Sequence, residues 1–378
     1  MRQLCENKNE NDSGRAKTMQ EIQDEVFLHV YAPIMMEYVE WVLREARREG
    51  KQRLYFLARD GYMMYLAACR LAEDRNLDIA VRYLKISRLA VRSALSGIGA
   101  EKKDTAAENC RDQAIAYFRQ EGLLDDVPFA LADSGWVGSM QYGLQQLLSY
   151  AGKKPIRLQG YYFGLYERPK GTTPKQYRHF YFGERNIRRK IRFSNCLLET
   201  VCSAGTGMTR GYRPVAGVNE VCLEAVESDG GNPNAAVMER FAKLLSLYVE
   251  AYLVEEHKAE YGRMRAHKAS FCMVERLLQP MMGNPTRAEA EAFGSLLFSD
   301  RVSEECIQPV AAVWKEDVLD SQDICNRLLV KLGIRKDVLP ESAWMEGSIV
   351  RLGIEVQKYL WQERWYKRLM YLRKAVCR

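Results

Sequence analysis

Two short segments of this chain each place an aspartate directly after an apolar run. Asp60 follows the run at 54–58, one arginine later, and Asp133 follows the run at 129–132. Proteins with alternating strands and helices place carboxylates in this way at the carboxyl ends of buried strands, where open sheets bind ligands. Asp60 and Asp133 are therefore our candidate catalytic residues. They are also the candidate metal ligands, and carboxylates beside a phosphate favour Mg²⁺.

Two interpretations of Asp60 stay open. In the first, its carboxylate binds a metal ion or a ligand hydroxyl, and Arg59 donates two hydrogen bonds to a phosphate. Gly61 then belongs to the same ligand-binding segment. In the second, Asp60 is the N-cap of a helix that begins at Tyr62, since Asp is among the preferred capping residues.

The stronger signal for phosphate binding is the segment 133–139. Its glycines allow close approach of the backbone to a ligand, and Ser139 would begin a helix whose N–H groups attract an anion. Trp136 would stack on a base or a sugar. The alternative is an ordinary strand-to-helix turn that Ser139 caps, with Trp136 packed against the core. The candidate phosphate-binding residues here are Ser134, Gly135, Trp136, Gly138 and Ser139.

Further polar residues follow other elements of the same region. Ser87 and Arg88 come after the second apolar run and would add a cation to the site, although Ser87 is also a suitable helix N-cap. The basic run at 185–192 would either clamp phosphates or form a solvated face.

The stretch 199–212 contains three glycines in a G-x-G-x-x-x-G pattern. A dinucleotide-binding loop must follow a strand and begin a helix, whereas here a helix comes first and a strand follows. The remaining hypothesis is a glycine-rich turn that lines the ligand cleft. Its candidate ligand-binding residues are Glu199, Thr206 and Arg210.

Short apolar runs alternate with amphipathic stretches from 53 to 164. The pattern predicts an α/β fold with an open, doubly wound, mostly parallel sheet of the Rossmann or flavodoxin type. The predicted strands are 53–58, 80–86, 129–132 and 157–164, and the predicted helices are 62–72, 88–96, 112–121 and 139–150. With a strand order of 2-1-3-4, Asp60 and Asp133 would flank the switch point and share one crevice.

Composition changes along the chain predict three regions. Residues 1–18 are polar and predict a disordered lead-in. Residues 19–230 form the ligand-binding α/β domain, which begins with two helical pieces interrupted at Pro33 and includes a strand pair at 212–215 and 220–226. Residues 231–378 form an α-helical region. Its last helix, 357–378, combines basic and aromatic residues, which is typical of membrane-surface or partner-binding helices as well as of docking onto the core.

Bulk composition narrows the function classes. The net charge of +7 suits phosphorylated ligands or an anionic membrane, and no recognition motif for nucleic acid accompanies it. The ten cysteines contain no C-x-x-C pair, so we expect reduced thiols in a cytoplasmic protein. We find no apolar run of about 20 residues and no signal peptide. None of the four histidines belongs to an identifiable hydrolase triad.

Six segments resemble, in order, the C-terminal region of predicted HAD-superfamily hydrolases encoded with bacterial capsule and surface-polysaccharide genes. They are 54–62, 83–90, 130–141, 160–165, 199–212 and 284–294. The resemblance covers about residues 20–320 and implies phosphate chemistry in polysaccharide biosynthesis. The N-terminal HAD domain of those proteins carries a D-x-D motif, and we expect this chain to lack that domain. Ala58 stands where the nucleophile would be and Gly135 where the second aspartate would be.

The segment 133–139 also loosely resembles the phosphate loop of phosphoribosyltransferases. The sequence therefore predicts a phosphosugar- or nucleotide-sugar-binding protein of surface-polysaccharide biosynthesis. If it is an enzyme, it is a HAD-related hydrolase or a phosphoribosyltransferase-like transferase. The alternative is a non-catalytic interaction module that recruits polysaccharide enzymes to the inner face of the membrane. Expected partners are a phosphorylated small molecule, polysaccharide-pathway proteins or a separate HAD protein, and the membrane surface, but no nucleic acid.

Overall fold

A central five-stranded parallel sheet organises the chain. A computed structural model describes residues 16–96, 98, 104–215, 222–260, 271–299, 307–318, 321–336 and 339–376. The strands are β1 (Arg53–Leu57), β2 (Ala80–Leu84), β3 (Phe129–Trp136), β4 (Gly160–Leu165) and β5 (Tyr177–Phe182). Their order in the sheet is β2-β1-β3-β4-β5, and all neighbours are parallel. The predicted α/β class and the 2-1-3-4 order of the first four strands are confirmed.

Helices separate the first four strands and dominate the C-terminal part, as predicted, whereas β5 follows β4 with no helix among the described residues between them. They are α1 (Met19–Val26), α2 (Ala32–Arg48), α3 (Tyr62–Asp74), α4 (Arg88–Leu95), α5 (Thr105–Gln120), α6 (Ser139–Gly152), α7 (Ile187–Lys190), α8 (Asn195–Cys202), α9 (Ala235–Glu260), α10 (Phe271–Gly283), α11 (Arg287–Gly294), α12 (Ile324–Lys331), α13 (Met345–Leu352) and α14 (Val356–Val376). Two antiparallel pairs complete the fold: β6 (Thr209–Pro214) with β7 (Leu223–Glu227), and β8 (Leu297–Ser299) with β9 (Ile307–Pro309).

The two faces of the sheet pack into separate hydrophobic clusters. Leu54 and Phe56 of β1 belong to one cluster, and Tyr55 and Leu57 to the other, as the two-residue period of a strand requires. Buried residues of α2 and α3 cover the first face, and those of α4, α5 and α6 cover the second. Because each fully buried large apolar side chain contributes roughly 1.5–3 kcal/mol, this burial on both faces fixes the sheet that carries the site.

The first cluster continues into the C-terminal helices. Phe27 stacks on Phe241 of α9 with ring centroids 4.3 Å apart, and Leu360 of α14 is fully buried in the same cluster. The core is thus continuous across residue 230, while the predicted division at 230/231 into two domains stays a prediction. Of the predicted lead-in, residues 1–15 lie outside the described residues, and Thr18 forms a capping box at the start of α1.

The helical run before β1 is continuous, which corrects the predicted interruption at Pro33. A π-helical turn, Phe27–Tyr31, joins α1 to α2, and Pro33 lies in the first turn of α2, where its missing N–H group costs no hydrogen bond. Among the described helices, Met19–Arg48 is long and apolar enough to cross a membrane, contrary to our expectation from apolar runs. However, 67% of its most apolar window is buried, as in the core helix of a globular protein.

Two element boundaries differ clearly from those predicted. β3 runs through Asp133 to Trp136, because its backbone keeps pairing with β4 as far as Leu165. The helix predicted at 112–121 begins at Thr105, because the Asp104 carboxylate accepts hydrogen bonds from two backbone N–H groups of its first turn.

Candidate functional site

A cavity of about 710 Å³ opens at the carboxyl ends of β1 and β3. Its lining includes most of the predicted site residues, namely Arg59, Asp60, Ser87, Arg88, Asp133, Gly135, Trp136, Gly138, Ser139, Glu199 and Arg210. Its volume is within the range of small-molecule sites, which is about 300–1,000 Å³. The position agrees with the general rule for open α/β sheets, in which ligands bind where the strand order reverses.

Asp60 and Asp133 lie together in this cavity. The Ser134 hydroxyl donates a hydrogen bond of 2.5 Å to Asp60 Oδ2, so the residue next to Asp133 orients the first aspartate. The N-cap of α3 is Gly61 and no side chain caps this helix, so the capping interpretation of Asp60 is wrong. The Asp60 carboxylate is thus directed to the site.

Asp133 lies within β3, where we expected it just beyond the strand. Its side chain is buried, and its backbone is held by Tyr38 of α2. The Tyr38 hydroxyl shares its single proton between the carbonyl oxygens of Tyr161, at 2.7 Å, and Asp133, at 3.0 Å, and its oxygen accepts from the Asp133 N–H at 3.2 Å. A helix from the first face of the sheet therefore fixes the backbone beneath the acid.

The carboxyl groups of Asp60, Asp133 and Glu199 lie close enough for their charges to shift the pKa values of Asp133 and Glu199. Burial raises the pKa of Asp133 well above its usual range, and the negative charges of Asp60 and Glu199 raise it further. Burial and the charge of Asp60 raise the pKa of Glu199 to about 8, although a hydrogen bond from the Trp136 indole N–H opposes this. Near pH 7, Glu199 therefore keeps its proton and can act as a proton donor beside Asp60, and the ionisation of Asp133 is disfavoured for the same physical reason.

The segment after Asp133 begins α6 without a side-chain cap. Gly138, at φ +64°, is the N-cap, so the predicted capping role of Ser139 is wrong. A Cβ at Gly138 would lie 2.4 Å from Cε1 of Tyr177, which leaves no room for a side chain. Since the first N–H groups of a helix have no partner within it, the N-terminus of α6 presents donors and a positive dipole end to the cavity.

Trp136 packs against the core, as the second interpretation of this residue held. Its ring stacks on Phe182 at an interplanar angle of 15° and lies 5.4 Å from the ring of Phe193. Its indole N–H donates to Glu199, so the tryptophan holds a carboxyl group of the site in place.

Positive charge lines the same cavity as the three acids. Arg88 and Arg210 are exposed at the cavity, and neither has a salt-bridge partner among the described residues. Ser87 is confirmed as the N-cap of α4, since its hydroxyl accepts from the Ala90 N–H at 3.0 Å and donates to the Thr209 carbonyl. That second bond ties the start of α4 to β6, which carries Arg210.

Three predicted site residues do not line the cavity. Gly61 packs under the end of β1, where a Cβ would lie 2.4 Å from the Leu57 carbonyl oxygen. Ser134 is fully buried and acts by holding Asp60, and Thr206 is exposed away from the cleft.

The structure adds a polar loop that we did not predict. Residues 228–234, which read Ser-Asp-Gly-Gly-Asn-Pro-Asn, line the cavity together with Asn195, Thr200 and Ser203. The signal in the sequence was the density of turn-forming residues between a strand and a long helix, since such loops often carry ligand contacts.

Within the described part of the chain, no group of three or more His, Cys, Asp or Glu side chains is arranged to hold a metal ion. Mg²⁺ often binds through one or two carboxylates together with phosphates of the substrate, so Mg²⁺ on Asp60 and Asp133 stays a prediction. No family model and no curated protein matches the sequence. The resemblance to HAD-superfamily hydrolases likewise stays a prediction.

Proposed function

We propose that this protein binds a phosphorylated sugar or nucleotide-sugar in the cavity between β1 and β3. The observation that carries the proposal is the pairing of the uncapped N-terminus of α6 with two arginines, Arg88 and Arg210, that have no salt bridge to a described residue. A helix N-terminus and unpaired guanidinium groups are the donors that proteins use for phosphate. The resemblance noted above supports surface-polysaccharide biosynthesis as the setting.

The acids support the sugar end of the ligand. Because Glu199 keeps its proton near neutral pH and the raised pKa of Asp133 disfavours its ionisation, these two acids can donate hydrogen bonds to an oxygen with little repulsion of the phosphate. Asp60 then accepts from a sugar hydroxyl or holds Mg²⁺. If the protein is an enzyme, Asp133 or Glu199 would protonate the leaving oxygen in hydrolysis or transfer at the phosphate-bearing carbon or at phosphorus.

Replacing Arg88 or Arg210 by glutamine should weaken binding of a sugar phosphate. Each loses a charge-assisted hydrogen bond, so we expect the dissociation constant to rise about tenfold for each variant. The measurement is isothermal titration calorimetry with glucose 1-phosphate and with UDP-glucose as probes, in the presence of Mg²⁺ and in EDTA.

Arg92→Gln is the matched control, because Arg92 is an exposed arginine one turn further along α4 that does not line the cavity. It should bind the probes as the unmodified protein does. If neither probe binds, or if Arg88→Gln and Arg210→Gln bind as tightly as the control, the proposal fails. Hydrolysis of the probe during the titration would show that the site is catalytic.

A second candidate function is recruitment to a membrane, which one surface of α14 favours. The inner face of α14 is docked, since Leu360 is fully buried and the buried Glu363 pairs with Arg327. The outer face exposes a row of apolar side chains one helical turn apart, with Trp361 56% and Trp365 39% exposed. The row continues with Leu369 and Leu372, and the exposed basic residues beside it are Arg368, Arg373 and Lys374. Aromatic and basic residues together bind anionic lipid surfaces.

Replacing both Trp361 and Trp365 by serine should reduce membrane binding. We expect the full chain to sediment with vesicles that contain phosphatidylglycerol more than with pure phosphatidylcholine, and the double variant to lose about tenfold in partitioning. Leu247→Ser, which removes an exposed apolar side chain from α9, is the control. Equal sedimentation of the double variant and the control would exclude this role for α14.

A further inference from the structure

A second cavity, of about 780 Å³, lies between α10, α14 and the segment after α7. Its lining shares no residue with the cavity at the sheet edge. The lining residues are Arg192, Cys272, Glu275, Arg276, Gln279, Pro280, Asn284, Gln357 and Arg364. Three of these are arginines from three different parts of the chain, so the fold brings their charges together.

The three arginines lack carboxylate partners. None of them has a salt bridge to a described residue, and Arg192 donates only to the side-chain oxygen of Gln279, at 2.9 Å. Glu275 is the one acid in the lining, and it is engaged by Arg189, at 3.6 Å, and by the Gln279 amide, at 2.7 Å. The lining therefore holds three guanidinium groups against one carboxylate, and outside the lining the charge of Glu346 also acts on Arg364, so the positive charge in the cavity is only partly offset.

Arg364 is the arginine of this cavity whose guanidinium group has a buried donor without a partner among the described residues. One of its terminal N–H groups donates to the Gly283 carbonyl at 3.0 Å, while its Nε is buried and has no hydrogen-bond partner. A buried donor without a partner is unfavourable, and the described part of the protein does not satisfy all the donors of this guanidinium group. Burial, and next the nearby charge of Arg192, lower the pKa of Arg364, so a bound anion would relieve this repulsion.

We propose that this cavity is a second binding site, for the phosphate group of a small phosphorylated ligand, held by Arg192, Arg276 and Arg364. Arginine forks match phosphate oxygens in pairs, and a doubly charged phosphate is the small anion that best satisfies several guanidinium groups at once. The cavity is larger than a phosphate ion, and Gln279, Asn284 and Gln357 offer amide groups to the rest of the ligand. The site does not depend on the function proposed for the first cavity.

The basic residues of the run at 185–192 have different roles in the structure. Lys190 is buried and donates to the Glu184 carbonyl, at 2.7 Å, and Arg189 donates to the Tyr181 carbonyl. Of the basic residues in this run, Arg192 alone lines either of the two cavities, so the phosphate clamp that we considered for the whole run reduces to one of its members and two distant arginines.

Two cysteines allow the two cavities to be probed separately. Cys272 is exposed and lines the second cavity, and the half-buried Cys196 lines the first. Alkylation by iodoacetamide depends on the thiolate fraction and on access, so a phosphate beside Cys272 should slow its modification. We expect inorganic phosphate and glycerol phosphate to slow Cys272 at least about threefold relative to sodium chloride at equal ionic strength. Peptide mass spectrometry gives the rate at each cysteine.

Variants of the arginines test whether the protection of Cys272 comes from phosphate bound in the second cavity. The double variant Arg192→Gln with Arg276→Gln should lose protection of Cys272, while Arg188→Gln, an exposed arginine outside both cavities, should keep it. Unchanged alkylation of the exposed Cys325 in each variant shows that the fold is intact. The proposal is overturned if phosphate leaves the Cys272 rate unchanged, or slows it equally in the double variant.

The same assay distinguishes the source of the phosphate. Protection by glycerol phosphate in solution identifies a soluble phosphorylated ligand. If phosphatidylglycerol vesicles protect Cys272 in the unmodified protein and not in the double variant, the phosphate is that of a lipid headgroup. Protection by neither probe contradicts the proposal, whatever happens at Cys196.

Discussion

Gly135→Ala should destabilise the fold by about 3 kcal/mol or more, the largest effect that we expect from a single methyl group in this protein. Gly135 has φ +136°, and a Cβ there would lie 1.9 Å from the carbonyl oxygen of Gly164 on β4. The contact is with backbone, so relief requires β3 and β4 to separate next to Asp133. The measurement is the free energy of unfolding from urea denaturation, with binding of glucose 1-phosphate on whatever folded fraction remains.

Gly171→Ala separates the cost of the positive φ from the cost of the close contact with β4. Gly171 also has positive φ, +79°, but a Cβ there would meet nothing within 4 Å. We expect this control to cost roughly 1 kcal/mol, the conformational penalty alone, and to leave ligand binding unchanged. If both variants lose the same stability, the close approach of β3 to β4 is not what requires glycine at 135.

Glu199→Gln should stabilise the protein at alkaline pH. Its carboxyl group has a pKa raised to about 8 in the folded state, mainly by burial and next by the charge of Asp60. Glutamine has nearly the same shape, and its side-chain oxygen can still accept the Trp136 indole N–H. We expect the variant to be more stable than the unmodified protein by about 2 kcal/mol at pH 8, measured by urea denaturation across the pH range.

The sign of this pH effect follows from the protons that the folded and the unfolded states bind. At low pH the Glu199 carboxyl is protonated in both the folded and the unfolded state, so its ionisation does not change the free energy of unfolding. As the pH rises above 4.5, the unfolded chain releases this proton while the folded protein keeps it, and the free energy of unfolding falls. The loss is complete near pH 8, above which both states are ionised. Asp133, whose pKa is also raised, acts in the same direction.

A surface glutamate provides the comparison. Glu250→Gln changes an exposed side chain of α9 and should leave the pH dependence of stability as it is in the unmodified protein. A Glu199→Gln variant whose stability falls between pH 4.5 and 8 as steeply as this control would show that Glu199 is not a buried acid in the folded protein.

The sheet and the meeting of Asp60 with Asp133 could be predicted because they follow from local patterns. Runs such as 54–58 are apolar without interruption, which is typical of strands buried on both faces, and helical stretches between them require parallel pairing. Parallel strands in the order 2-1-3 then place the ends of the first and third together. The capping roles of Asp60 and Ser139 were wrong, because in each case a neighbouring glycine takes the N-cap position.

The remainder of the site depends on contacts between distant parts of the chain. The role of Glu199 comes from burial beside Asp60 and from the indole of Trp136, neither of which a single sequence specifies. The loop at 228–234 reaches the cavity from beyond a second, smaller sheet, so its polar composition alone could not assign it to this edge. The same holds for Arg192, whose partners in the second cavity are more than 80 residues away, at 276 and 364.

The continuous core has a consequence for how the chain folds during synthesis. Gln23 of α1 donates to the carbonyl of Ala292, a contact 269 residues apart in sequence, and Asp24 pairs with Arg240 at 2.7 Å. When the first helices leave the ribosome, the surfaces that cover them have not yet been translated. Contacts of such separation slow folding and prolong exposure of apolar surface. We therefore expect nascent chains that stop before α9 to bind chaperones and to be cleaved by proteases within α1 and α2.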